Sequence, residues 1–579
     1  MLIQRRQPIT GLAERPLASH AVLQRIYRQR GVTDVAELDY QFSRLPPPQS
    51  MRGMTEAVAL LEHALCVQQR ILVVGDFDAD GATSTAVAVR GLRLLGARQV
   101  DFLVPNRFAY GYGLTPEIVA LAREKQPDLL VTVDNGIASL DGVALAQQWG
   151  MRVLVTDHHL PGARLPTADA IVNPNQPSCT FQDKSLAGVG VMFYVLLALR
   201  AQLRSVGWFV EQQIAEPNLA NLLDLVALGT VADVVPLSPL NRILVHQGLL
   251  RIRARQCCVG IQALAAVAKR ELSRVVANDL GFHLAPRLNA AGRLNDMRDG
   301  IQCLLTDDAS VAGLLATELD TLNRERRLIE ADMHSTAMTD PVLQYWASMD
   351  AALLPRSLCL YNSGWHQGVI GILASRLRER FHRPAIVFAD ANEDEIKGSA
   401  RSISGLHIRD ALDHIASTNP HVLSRFGGHA MAAGLTIRRE YFDDFLVLFE
   451  QEVQCWLDDS DLQAVLLSDG ELTAAELNLE LAELLRNAGP WGQRFPEPLF
   501  DGVFVVQHQK LVSEKHLRLR LSLPSQDGTA LDAIAFGVDT AQWPAPDVRQ
   551  VRIAYSLDVN EYNGLRKVQL LVRHIEAWN

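Results

Sequence analysis

The chain has 579 residues, 48% of them hydrophobic, with 65 acidic against 55 basic side chains and a formal charge of −10. Single cores stop growing at about 250 to 300 residues, so at least three domains are expected, and the acidic balance excludes wholesale coating of nucleic acid, leaving any polyanion to be met by local cations. Seven scattered cysteines without CxxC spacing point to a reducing compartment and argue against a zinc site.

The amino end, Met1-Leu2-Ile3-Gln4-Arg5-Arg6, is not followed by an apolar stretch of signal-peptide length, which argues against secretion and for a cytoplasmic protein. Residues 1–50 are arginine-rich and close on Leu45-Pro46-Pro47-Pro48, a helical lead-in with a stiff connector. From 51 to 250 helix alternates with strand: helix over 54–69, strand over 71–74, helix over 81–95, strand over 100–104, and further apolar strands over 129–133 and 152–155. That alternation predicts a doubly wound α/β layer on a parallel sheet. The longest apolar run, 186–199, holds Gly188 and Gly190 and falls short of the roughly 20 residues that span a bilayer, so it reads as a buried helix. Between 301 and 345 the spacing is helical, with Leu315, Leu319 and Leu322 on one face, which fits a long connecting helix. A second α/β unit starts at 358, passes through a helix over 368–380 and a strand over 385–388, and ends near 455. After Asp458-Asp459-Ser460-Asp461 come five β runs, over 500–506, 517–523, 531–536, 551–557 and 568–575, the strand number of a small oligonucleotide-binding barrel (OB-fold).

Three acidic segments each follow a predicted strand: Asp76, Asp78 and Asp80 in Gly75-Asp76-Phe77-Asp78-Ala79-Asp80-Gly81, Asp134 in Val133-Asp134-Asn135-Gly136, and Asp157-His158-His159. In an open α/β sheet the carboxyl ends of the strands share one crevice, so these segments converge. Each has an ordinary reading alone: aspartates near a helix start stabilise it without any metal, and Asp-Asn-Gly is a common turn. Together, crowded carboxylates beside imidazoles suit divalent cations of the Mn²⁺ or Mg²⁺ kind.

Asp157-His158-His159, with the spacing of the other aspartates, resembles the signature of the DHH phosphoesterase superfamily. The resemblance extends to Asp224-Leu225-Val226-Ala227-Leu228-Gly229-Thr230-Val231-Ala232-Asp233 and to Phe426-Gly427-Gly428-His429-Ala430. It implies a lead-in over 1–50, a DHH catalytic domain over 51–300, a connecting helix over 301–350, a DHHA1-type substrate domain over 351–457 and an OB-fold DNA-binding domain over 465–579. It also implies a 5′ to 3′ single-stranded-DNA exonuclease of recombination and repair that releases 5′-mononucleotides and uses two Mn²⁺ or Mg²⁺ ions. Carried over position by position, Asp134 bridges both metals, Asp78 holds one, and Asp80, His158 and Asp224 hold the other. Asp76 is an additional candidate ligand, His159 faces substrate phosphate, and Asp233 stands behind the ligands; Asp134, Asp157, His158 and His159 form the catalytic set. The small superfamily members' histidine four residues before Asp78 is Val74 here, which sets the chain apart from the pyrophosphatase branch. The expected chemistry is in-line attack by metal-activated water, with ions about 3.5 to 4 Å apart and no covalent nucleophile.

For substrate, the resemblance points to a phosphate cradle at Gly427, Gly428 and His429, and to Ser399 and Arg401 on a neighbouring strand, where an arginine fork suits phosphate. Arg107, in a glycine- and tyrosine-rich loop, and Arg287 are further candidates. Trp365 fits either a cleft wall or a core. In the terminal β unit Lys515, His516, Arg518 and Arg520, with Tyr555, Tyr562, Arg566 and Lys567, mix cations with rings as single-strand grooves do, although an ordinary half-buried sheet has the same composition. A narrow passage between the α/β domains would exclude duplex. The implied partners are single-stranded DNA, a single-stranded-DNA-binding protein and a RecQ-type helicase, and nothing in the pattern argues for an obligate oligomer. The rival readings are a phosphodiesterase for oligoribonucleotides or cyclic dinucleotides, which leaves the β domain without a task, and a noncatalytic DNA-binding scaffold.

Overall fold

The computed structural model describes the chain except residues 8–15, 107–109, 111, 350–352, 525–529, 563 and 579, and the side chains of Ser424 and Tyr562. Arg107 therefore lies outside the described residues, as does the Tyr562 side chain. Two compact units emerge: Arg5–Thr321 with Leu467–Asn579, and Met1–Gln4 with Leu322–Leu466.

In the first unit β1 (Ile71–Gly75), β2 (Val100–Leu103), β3 (Leu129–Val133), β4 (Arg152–Thr156) and β5 (Ala170–Val172) form a parallel sheet in the order β2-β1-β3-β4-β5. β1 and β3 are buried along their whole length, as strands covered on both faces must be. The chain leaves β1 toward β2 on one side and returns to β3 on the other, so the order reverses around β1, and ligands of such sheets sit at the strand ends there. Beyond β5 the alternation stops. The helices α1 (Ala79–Leu94), α2 (Gly188–Ser205) and α3 (Leu223–Ala232) pack on one another, and the apolar run that opens α2 is buried, as its composition predicts. No helix among the described residues is long and apolar enough to cross a membrane.

The same unit carries the barrel: β11 (Phe500–Val512), β12 (His516–Ser522), β13 (Leu531–Phe536), β14 (Gln550–Tyr562) and β15 (Leu565–Ala577), closed in the order β11-β12-β13-β15-β14. Period-two alternation sorts β12: Leu517, Leu519 and Leu521 are buried, while Arg518 and Arg520 face out opposite Lys510 and His508 of β11. Tyr555, expected among the stacking rings, is instead 1% exposed and packs on Phe500 and Phe504 in the barrel core.

The N-terminal lead-in ties this barrel to the helical layer. Arg30, at the end of the Ala21–Gln29 helix, makes a two-pronged ion pair with Asp469 inside the protein, the side chains being 1% and 0% exposed. Tyr27 donates to the Ala488 carbonyl at 2.9 Å and stacks on Trp491 and Phe495, while Arg242 of the helical layer lies 4.2 Å over the Phe495 ring.

The second unit holds β6 (Leu358–Tyr361), β7 (Ala385–Asp390), β8 (Glu395–Arg401), β9 (Leu423–Gly428) and β10 (Ala432–Arg438) in the order β9-β10-β8-β7-β6, with only β6 and β7 parallel. Trp365 belongs to its core at 6% exposure, which settles the choice against a cleft wall. The expected connecting helix is present as a helix over Ala309–Thr339, followed after Asp340 by Pro341–Ser348.

Candidate metal centre

The carboxyl ends of β1, β3 and β4 deliver Asp76, Asp134 and Asp157 to one place, and the first turn of α1 adds Asp78 and Asp80. Asp78 is the N-cap of α1 and accepts from the Gly81 amide at 3.0 Å, so the helix-capping and ligand readings of this residue coexist. Asp80 accepts from the Gly188 and Val189 amides at 2.7 and 3.0 Å, which places the start of α2 against the site. Gly188 is required there: a Cβ would lie 2.6 Å from the Asp134 side chain. Asp134 itself sits at φ +62°, a left-handed conformation that aspartate tolerates better than most residues and that clusters at functional sites.

Three overlapping sets of side chains bring one ligand atom each within 4.8 Å of one another: Asp76, Asp78 and Asp134; Asp80, His158 and Asp233; Asp134, His158 and His159. His158 Nε2 lies 3.1 Å from Asp134 Oδ1 and 3.5 Å from Asp233 Oδ2. These three atoms are buried without a hydrogen-bond partner among the described residues. Each unpaired buried polar atom costs about 1–3 kcal/mol, and a cation between them satisfies all three, so the donor set fits divalent metal. The carboxylates confirm the crowding. Burial, reinforced by Asp233, pushes Asp80 up to about 7; burial and Asp78 push Asp233 up to about 8. Burial with four neighbouring aspartates holds Asp134 well above the usual carboxylate range. A cation reverses that repulsion.

Asp157 differs from the other acids. Its Oδ1 accepts from the His158 and His159 amides and from His159 Nδ1 at 2.7, 3.0 and 2.7 Å, and Oδ2 accepts from the Ile137 amide at 2.9 Å. Burial opposes its charge, yet the His159 hydrogen bond brings it down to about 2, and burial likewise opposes the His159 charge while Asp157 carries that ring up to about 9. Asp157 thus holds the backbone and ring of the two histidines in place at the site. Tyr112, from the tyrosine-rich loop, adds a hydroxyl 3.1 Å from the Asp134 carbonyl and from His159 Nδ1.

The fourth acidic segment requires a correction. Asp224 and Asp233 are nine residues apart, and at 3.6 residues per turn nine steps make two and a half turns, so the two acids leave opposite sides of α3. Asp233, the C-cap, faces His158. Asp224 points away, accepts from the Cys258 amide at 2.7 Å, and is raised by burial against the opposing pull of that amide and of Arg251 and Arg90. Asp233 takes the position expected of Asp224. Gly229, one turn before Asp233, carries the signal: a Cβ there would lie 2.2 Å from Thr83 Oγ1 and 2.9 Å from Asp80 Oδ1, so this face of α3 is the one pressed on the site.

Arg287 is 7% exposed and pairs with Asp320 at 2.8 Å, while donating to the His283 carbonyl. It lies on α4 (Ala285–Leu294), with its guanidinium held by Asp320.

In the second unit Ser399, Arg401 and Gly427 share one sheet face, with Gly428 and His429 next along the chain. Gly427 of β9 pairs with Gly434 of β10, which pairs with Ser399 of β8, and Ala432 pairs with Arg401. Arg401 donates to Ser399 Oγ at 3.1 Å. A Cβ added to Gly427 or Gly434 meets nothing within 4 Å, so these glycines leave bare backbone and open room beside Ser399 and Arg401. The His429 amide closes the hairpin on the Ala432 carbonyl at 2.8 Å, and Gly428 sits at φ +146° with Ala433 behind it. The arrangement has the makings of an anion cradle.

Comparison with known proteins follows the same division. The DHH family, N-terminal domain, matches residues 70–230, the DHHA1 domain matches 355–454 and the RecJ OB domain matches 468–574. The chain is 54% identical over 571 residues to the single-stranded-DNA-specific exonuclease RecJ of Dickeya dadantii, covering 99% of this chain and 98% of that one. The crystal structure of RecJ from Thermus thermophilus in complex with Mn²⁺ superposes with a TM-score of 0.79 at 30% identity, covering 97% of this chain and 77% of that one. Its complex with Mg²⁺ gives 0.73 at 28% identity, with 97% and 76% covered.

Proposed function

Because the chain belongs to the RecJ family of single-stranded-DNA-specific exonucleases, we propose a division of labour among its residues for that activity. The protein is a metal-dependent exonuclease that degrades single-stranded DNA from 5′ to 3′ in recombination and repair, with Mn²⁺ or Mg²⁺ as cofactor. Asp76, Asp78 and Asp134 would hold one cation, and Asp80, His158 and Asp233 the other, with Asp134 close to both sets. When bound, the pair of cations lowers the pKa of water and neutralises charge developing on the phosphoryl oxygens. Asp157 keeps His158 and His159 aimed at the site. His159, hydrogen-bonded to Asp157 on Nδ1, is aimed at the site and faces the scissile phosphate. Ser399, Arg401, Gly427, Gly428 and His429 receive a phosphate of the terminal nucleotide, and the outward row of Arg518, Arg520, Lys510 and His508 grips the strand farther along by backbone attraction.

The observation that carries the assignment is the convergence of Asp134 Oδ1, His158 Nε2 and Asp233 Oδ2, buried and unpaired, at the end of a parallel sheet. Labelled single-stranded DNA, duplex DNA, short RNA and cyclic dinucleotides, each with Mn²⁺, Mg²⁺ or chelator, provide the test. Release of 5′-mononucleotides from single-stranded DNA alone, abolished by chelator, is expected. Preference for dinucleotides, or binding without cleavage, would overturn the assignment.

A further inference from the structure

An apolar cleft of about 280 Å³ opens at the end of α3, where the chain passes Asp233, near the lower end of the roughly 300–1,000 Å³ of small-ligand sites. Val231, Val234 and Val235 form one wall, Phe282 a second, and Trp491 with Gln493 a third. Ala232 and Val234 line it while the Asp233 carboxylate between them turns to His158, so the cleft adjoins the chain segment that carries one acid of the metal centre. Two of the wall residues are spread open to solvent: Val234 is 62% and Phe282 69% exposed. Both sit on unusual backbone. Val234 has φ +61°, a strained position for a β-branched residue, and Phe282 lies on the π-helical turn Leu280–Leu284, a geometry that recurs at functional sites. Trp491 is fixed, its indole N–H donating to the Leu485 carbonyl at 2.9 Å and its ring stacked 5.1 Å from Phe495. At its far end the cleft shares Ala277, Asn278 and Trp491 with a second hollow that holds Arg253 and Arg486, alongside Glu497.

A strip that starts next to Asp233, continues as the exposed ring of Phe282 beside the half-buried, hydrogen-bonded ring of Trp491 and ends at arginines has the pattern of a single-strand track, in which bases stack and phosphates meet cations. We infer that the Val234, Phe282 and Trp491 cleft is a base-stacking subsite for a nucleotide just 3′ of the scissile phosphodiester, with Phe282 as its principal platform. The inference rests on the nuclease reading and adds a substrate-positioning residue to it. It also gives a role to exposed aromatic surface that no fold contact explains: Phe282 is on the surface, so its removal leaves the core intact.

The test pairs protein and substrate changes. Oligonucleotides carrying a single abasic residue at position two, three or four from the 5′ end are compared in wild type, Phe282→Ala and Phe282→Tyr. In wild type one abasic position is expected to raise KM about five-fold or more, the lower end of what a stacked base contributes. In Phe282→Ala the KM for intact DNA rises by a similar factor and that abasic penalty vanishes, while Phe282→Tyr restores both. A 2-aminopurine at the same position, read in chelator so that no cleavage occurs, is quenched by wild type and not by Phe282→Ala. An unchanged abasic profile or unchanged quenching in Phe282→Ala, with wild type still degrading single-stranded DNA, overturns the subsite alone. Failure of wild type to degrade single-stranded DNA overturns the underlying nuclease reading.

Discussion

Replacing Asp233 and Asp224 separately by asparagine gives opposite results, because the two acids face opposite sides of α3. Asp233→Asn keeps the size of the side chain and removes a charge 3.5 Å from His158 Nε2, within the set that also holds Asp80. Loss of a group that merely orients a ligand costs 10- to 100-fold in metal affinity, so loss of a direct anionic ligand should reach at least the upper figure, about 2.8 kcal/mol at 1.4 kcal/mol per tenfold. Asp224→Asn instead removes a buried charge far from the cluster and keeps an oxygen for the Cys258 amide, now 2.7 Å away. Its effect on metal affinity should stay within about three-fold.

Mn²⁺ titration followed by electron paramagnetic resonance reads metal binding without relying on turnover, and nucleotide release from single-stranded DNA is measured beside it. The expected outcome is a loss of at least about 100-fold in Mn²⁺ affinity and near-complete loss of turnover for Asp233→Asn, with Asp224→Asn close to wild type in both. Weak metal binding by Asp224→Asn alongside normal binding by Asp233→Asn would refute the assignment of the faces of α3 and restore the expectation from sequence.

Arg30→Ala leaves the Asp469 carboxylate, 0% exposed, with the Leu499 amide and the more distant Arg6 as its partners among the described residues; breaking such a pair costs about 3–5 kcal/mol, so hydrogen exchange around 488–499 should speed up by at least about 100-fold, and an unchanged rate would show that the lead-in does not hold the barrel. Asp501 supplies a pH prediction. Burial opposes its charge, but the Arg5 hydrogen bond, at 3.0 Å, and Ser468 hold its carboxyl below the usual range. The stability it lends is therefore complete above the ordinary aspartate value of about 3.9 and is lost as pH falls through the lower folded value; acid unfolding of the barrel below about pH 4 should lose part of its steepness in Asp501→Asn, and identical acid profiles would contradict the pairing. Finally, replacing Arg518 and Arg520 with alanine should flatten the dependence of log affinity on log salt by about 0.7 for each phosphate contact removed, with little change in the rate at saturating DNA; an unaltered slope would move the strand off this face of the barrel.

What could be read from sequence, and what could not, divides along physical lines. The acidic segments after β1, β3 and β4 were legible because a parallel sheet places every strand's carboxyl end on one edge, so that being a strand end is sufficient to fix the neighbourhood. The five barrel strands were legible from their alternation, and that same alternation already contained the correction to Tyr555: it continues the apolar series Val551, Ile553 and Leu557, all of them buried. Arg287 was less accessible, since its partner Asp320 lies 33 positions away on another helix and nothing local announces the pair. The choice between Asp224 and Asp233 lies between these cases. Composition cannot rank two aspartates on one helix, but Gly229 can. A glycine inside a helix is disfavoured unless something must come close, and its face, shared at i and i+4 with Asp233 and opposed to that of Asp224, is where Asp80 and Thr83 approach. In a helix that bears two candidate ligands, the acid one turn from the glycine is the one pressed against the site, because close approach of backbone and convergence of ligands are demands on the same face.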